Sequence, residues 1–161
     1  MNRSLQAFVL GTLVFALDQE SKQLVLKWLL LGQAVQIIPG FFSLNLVTNT
    51  GAAWGIMRGQ GLWLTALAIA ALLVLLFVRR HFTYVGLMPR IALGLLLGGI
   101  GGNLADRLMY GHVVDFLDFY VGKWHWPAFN VADSSICIGV GLYLIDSFRR
   151  EPAAAHHEPP C

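Results

Sequence analysis

Four apolar stretches set the terms for this chain. They run over about 6–28, 61–80, 89–108 and 127–148, and each approaches the ~20 residues a helix needs to cross the hydrocarbon core of a bilayer. In lipid such stretches satisfy their backbone groups by closing into helices. The composition agrees, with 57% of the 161 residues hydrophobic and 12% charged, where a soluble domain carries about 25% charged. The expected fold class is an all-α integral membrane protein with four transmembrane helices, forming one domain over 1–150. A net charge of +2 offers no basic field for nucleic acid. Cys137 lies inside the last stretch and Cys161 ends the chain, so no disulfide is expected between them.

The start of the chain has a signal-peptide look, with Arg3 before an apolar run and Val14-Phe15-Ala16 as a cleavage-like triplet. Apolar residues resume at Leu24, however, and the reading is a first helix carrying Asp18 and Lys22. These stand at i, i+4 with the acid first, the favourable order for a helical ion pair, either as a surface pair or as a buried brace. Pro39-Gly40 marks a turn. Phe42, Leu44 and Leu46 then alternate with Ser43, Asn45 and Val47, as in a half-buried strand. Asn49-Thr50-Gly51-Ala52-Ala53-Trp54-Gly55 follows, small and glycine-broken, as in a loop that approaches something closely or in a plain turn. Gly94, Gly98 and Gly102 recur every fourth residue, a spacing that lets a second helix approach closely in a membrane. Residues 109–126 read as a second loop, rich in interfacial aromatics such as Trp124 and Trp126. Pro127 suits the first turn of the last helix, placing Asn130, Asp133 and Ser134 on one face. Residues 151–161 have the composition of a disordered tail, and His156-His157 belongs to it.

With four spans, Arg3, Arg79, Arg80, Arg90, Arg149 and Arg150 fall on one side and Lys27, Arg58 and Lys123 on the other. The bias places both termini in the cytoplasm and the loops 32–60 and 109–126 outside. Lys22, Asn103, Asp106, Arg107, Asp115, Asn130 and Asp133 then gather near the outer surface, with Asp18 somewhat deeper. Ionisable groups at such depth are costly and point to function.

The sequence lacks HExxH and GxSxG, so neither a zinc nor a serine hydrolase is indicated, and no metal or cofactor is expected. A pair of carboxyls remains. Two close carboxyls share one proton, and one can act as base while the other acts as acid. Asp133 is the acid in the outer half of the last helix; its partner is Asp115 or Asp118, which periodicity does not separate. A proton- or ion-coupled transporter would need acids across both membrane halves or an inverted repeat, and neither is present. A scaffold would leave the acids without a role.

Five blocks, in order, add to this: Asp18-Gln19-x-x-Lys22, Asn49-x-Gly51-Ala52-Ala53, Gly101-Gly102-Asn103-x-x-Asp106-Arg107, Val113-Val114-Asp115-Phe116 and Phe129-Asn130-x-Ala132-Asp133. Over nearly the whole chain this resembles the lipoprotein signal peptidases (signal peptidase II) of bacteria. The resemblance implies an intramembrane aspartic protease of the inner membrane, with four helices, cytoplasmic termini and an extracytoplasmic β-rich cradle over about 33–57. Its substrates would be prolipoproteins, cleaved before a diacylglyceryl-modified cysteine, and globomycin would inhibit it. By motif, Asp115 and Asp133 are the implied catalytic pair and Asp118 has no role. Asp18, Lys22, Asn49, Gly51, Asn103, Asp106, Arg107, Asn130 and Ala132 match supporting positions. Trp54 stands where the family often has Phe. A monomer in contact with membrane lipid is expected.

Overall fold

The computed structural model describes residues 2–52 and 56–150, leaving aside the side chains of 83–85 and 150. Trp54 and the tail 151–161 lie outside the described residues. The element order is α1 (Arg3–Trp28), β1 (Ala34–Ile38), β2 (Phe42–Asn49), α2 (Gly61–Val85), α3 (Leu87–Tyr110), β3 (Val113–Val121), β4 (Trp124–His125) and α4 (Val131–Arg150). Among the described residues, three segments are long and apolar enough to cross a membrane: Gly61–Phe82, Leu87–Tyr110 and Val131–Arg149. Helix α1 matches them in length but carries Asp18, Glu20 and Lys22.

Helix α3 is central, and its glycines explain why. A Cβ on Gly94 would come within 2.9 Å of the Ala7 carbonyl oxygen, and one on Gly98 within 2.5 Å of that of Gly11. One on Gly102 would collide with the Asp18 carboxylate. The contacts climb both helices in the same direction, so α1 and α3 run parallel. On another side, a Cβ on Gly99 would strike the Ala132 carbonyl and one on Gly139 would press on Ala92, so α4 runs antiparallel to α3. The core between the helices is built on Ala7, Phe82, Leu93 and Leu96, with Tyr143 stacked on Phe82 at 4.7 Å.

The four strands form one antiparallel sheet in the order β1-β2-β3-β4. Gly40, at φ +80°, follows Pro39 in the β1–β2 turn, and Phe41 N donates to Ile38 O at 3.0 Å. Proline then glycine suits the two central positions of a type II turn. The strand expected at 42–47 is present, but its alternation is interrupted. Leu44 pairs with Leu117 while Val47 pairs with Asp115, so β2 carries one extra residue, a β-bulge. Ser43 and Leu46, three apart, are therefore the buried residues.

Two expectations are corrected. The segment 109–126 is not a loop: it contains β3, which pairs with β2 and whose Val114 and Phe116 pack with Leu46 and Val25 in a second core. A run of buried residues shows no alternation, and this hid the strand. The last helix starts at Val131 rather than Pro127, because Phe129 is held extended by a bridge to Leu117.

Candidate active site

Asp133 owes its position to the start of α4. Asn130, just before the helix, accepts the Asp133 amide on Oδ1 at 2.9 Å, and its own amide donates to Asp133 Oδ2 at 3.3 Å. This reciprocal pair is a capping box, built here with Asn and Asp. It leaves Asp133 Oδ1 to accept from Asn103 Nδ2 at 2.7 Å.

Asp115 comes from β3. Its Oδ1 accepts from Asn130 Nδ2 at 2.8 Å and its Oδ2 from Asn49 Nδ2 at 2.9 Å. Val113 and Asp115 share one face of the strand and line a cavity. Val114, Phe116 and Asp118 share the other face. Asp118 is buried there, accepting from Ser43 Oγ at 3.1 Å and pairing with His125 Nδ1 at 2.9 Å. Once β3 is a strand, its two-residue period separates the two candidates.

Beneath the two carboxyls lies a buried charge network. Lys22 Nζ reaches Asp18 Oδ2 and Asp106 Oδ2, each at 2.8 Å, and Asn103 Oδ1 at 3.1 Å. All three ammonium hydrogens have acceptors, and Asp18, Lys22 and Asp106 are at most 1% exposed. The pair expected at Asp18–Lys22 is thus an internal brace. Asp18 Oδ1 also takes the Ala132 amide at 2.8 Å, and Asp106 Oδ2 takes the Val114 amide at 3.0 Å. The network therefore ties α1 and α3 to the residues beside both Asp133 and Asp115. Because Lys22 and Asn130 donate to Asn103 Oδ1, the other end of that amide must present its N–H groups toward Asp133.

Asn49 links the sheet to the site, since its Oδ1 accepts the Gly51 amide at 2.9 Å. Gly51 has no room for a side chain: a Cβ there would lie 2.7 Å from the Ile56 carbonyl oxygen. Arg107 donates to Gly51 O and Asn103 O, both at 3.3 Å. The structure thus brings together Asp115, Asp133 and the nine supporting residues matched by motif, and leaves Asp118 apart with Ser43 and His125. Gln19 was missed, though it stands inside the first block; its amide bridges Asp18, Asp106 and the Gly102 carbonyl.

The cavity has a volume of about 1020 Å³ and is lined by Asp115, Asp133, Asn103, Arg107, Gly51 and Arg58, among others. Ile136 and Cys137 extend it along α4. Burial raises the Asp115 carboxyl to about 7, and repulsion from Asp133 adds to the rise, against hydrogen bonds from Asn49 and Asn130. Two carboxyls on one cavity, one of them holding its proton near neutrality, form an arrangement suited to acid–base chemistry on water.

Comparison with known proteins agrees. The family model described as Signal peptidase (SPase) II matches residues 10–149. Lipoprotein signal peptidases of Burkholderia thailandensis and Paraburkholderia phymatum are 46% and 47% identical over 145 residues, covering 88% and 87% of this chain and 86% of each relative. A solved structure described as a bacterial membrane enzyme superposes with a TM-score of 0.86 at 30% identity, covering 96% of this chain and 94% of its own. A second, similarly described, gives 0.80 at 32%, covering 90% and 93%. With the family model spanning all the residues that build the cavity's polar network, this chain belongs to the signal peptidase II family of membrane proteases.

Proposed function

We propose that the chain is an aspartic endopeptidase that removes signal peptides from diacylglyceryl-modified prolipoproteins, cleaving before the lipidated cysteine. The observation that carries this reading is the pairing of Asp115 and Asp133 across one cavity, joined through Asn130 and Asn103. The relatives' name, lipoprotein signal peptidase, supports the substrate class.

In the proposed mechanism the dyad carries one proton. The ionised carboxylate removes a proton from a water, and the water oxygen bonds to the scissile carbonyl carbon. The protonated carboxyl donates toward the carbonyl oxygen as charge develops there. When the C–N bond breaks, a proton passes to the leaving amine. Asn49, Asn103 and Asn130 hold the carboxyls in place throughout, and such positioning is itself a large part of catalysis.

Helix α1 is read as a fourth span. Asp18 and Lys22 are buried against α3, while Leu13 and Leu17, each 62% exposed, would face lipid. Both termini are then cytoplasmic, and the sheet and cavity lie at the outer surface, where a lipid-anchored precursor presents its cleavage site. Globomycin would compete for the cavity, and a monomer suffices. An extended substrate in the cavity would pair with β2 past the bulge. Strand β2 is flanked by β1 and β3 over Phe42–Leu44, whereas Val47, Thr48 and Asn49 line the cavity.

The test is incubation of the purified protein with matched precursors, one diacylglyceryl-modified and one not, with product termini read by mass spectrometry. Cleavage confined to the modified precursor, leaving a lipidated N-terminal cysteine, is expected. Equal cleavage of both, or a cut at another bond, would rule out the proposed specificity.

A further inference from the structure

At the end of the bundle opposite the sheet, α1 and α3 border a second cavity of about 340 Å³. It is lined by Gln6, Ala7, Leu10, Leu87, Arg90 and Ile91. Arg90 is half-buried there and donates through Nη1 to the Gln6 side-chain oxygen, a neutral acceptor. Its Nε is buried and has no partner among the described residues, and no carboxylate among them pairs with its charge. A half-buried guanidinium with one N–H unsatisfied is an incomplete site, since a buried unpaired N–H costs free energy that an acceptor would recover.

The walls specify the acceptor. Leu10, Leu87 and Ile91 are apolar, and Leu87 is 64% exposed. Gln6, Leu10, Leu13 and Leu17 stand at i, i+4, i+7 and i+11, so one stripe of α1 leads from the cavity toward mid-membrane. Leu13 and Leu17 are both exposed along it. A cation at the mouth above an exposed apolar track matches a molecule with an anionic head and a hydrocarbon tail. Arg3 opens α1 and Arg79 lies near the end of α2, so the same end of the bundle is cationic. The fork of a guanidinium fits the two free oxygens of a phosphodiester, and basic pockets between membrane helices suit anionic headgroups.

We propose that this groove binds one anionic glycerophospholipid, with Arg90 holding the phosphate and the Leu10–Leu13–Leu17 stripe holding an acyl chain. The site is separate from the carboxylate cavity and does not depend on the reading of that cavity.

The experiment is native mass spectrometry of the full-length protein in detergent, titrated with phosphatidylglycerol, phosphatidylcholine or inorganic phosphate. One saturable phosphatidylglycerol adduct is expected, formed at least about tenfold more tightly than the phosphatidylcholine adduct. Arg90→Gln should weaken it about tenfold, the scale of one lost charge-assisted contact, whereas Arg79→Gln should leave it unchanged. Leu10→Trp, which fills the groove and keeps the charge, should also weaken it, and it decides the matter if Arg90→Gln does not fold. Equal binding of the two lipids, unaltered binding in the groove variants, or displacement of the lipid by inorganic phosphate would overturn the proposal.

Discussion

Lys22 sits where an ammonium group is hard to keep, at 1% exposure between two carboxylates. Removing one member of such a buried set leaves uncompensated charge, at a cost of about 3–5 kcal/mol. Lys22→Met should therefore lower thermal stability by that order in a detergent melt, and Lys22→Arg should not restore it, because a planar fork cannot reach three acceptors arranged around a point. Asp115 sets the pH behaviour. Its folded pKa, raised to about 7 from the ordinary 3.8, means that the folded protein holds a proton the unfolded chain has released. Its contribution to stability is full below pH 3.8 and is lost as pH rises through 7. The melting temperature of Asp115→Asn should thus gain on wild type between pH 5 and 8. Cleavage should fall above pH 7 as the shared proton leaves, with the apparent value belonging to the pair. A flat rate from pH 6 to 9 would contradict this.

At the scale of elements, the α1–α3 contact depends on absent side chains. Gly98→Leu would drive a branched side chain into the Gly11 backbone, separating Asp18 from Ala132 and Lys22 from Asn103. Loss of both folding and cleavage is expected, read by the melt and by precursor turnover. Asn130→Ala should cost about 1–2 kcal/mol as a lost cap, and more in activity, since it also removes the donor to Asp115. The helices and the glycine stripe were legible in the sequence because period and length in lipid leave few alternatives. The β3 strand was not, because both of its faces are covered and alternation vanishes. The start of α4 was misplaced for a related reason: Pro127 fits a first helical turn, but a tertiary bridge at Phe129 keeps the chain extended and delays the helix by four residues, to Val131. Distinguishing Asp115 from Asp118 by residue pattern required that strand, whereas the surrounding motif needed only the resemblance.

On the scale of the whole molecule, the polar network and cavity occupy one end of the bundle and the Arg90 groove the other. If the proposed orientation holds, a cysteine at position 123 should react with an impermeant maleimide in right-side-out vesicles and one at position 2 should not, in a background lacking Cys137 and Cys161. The reverse pattern would put the cavity on the wrong side for exported precursors. Ala52→Trp, which narrows the cavity from the sheet side, should raise KM severalfold with little change in the melt. The most direct measurement is turnover of a purified diacylglyceryl-modified precursor by Asp115→Asn and Asp133→Asn, each shown to fold. Either change alone should abolish cleavage, because neither carboxyl can supply both base and acid; substantial turnover in both variants would contradict the paired-carboxyl mechanism.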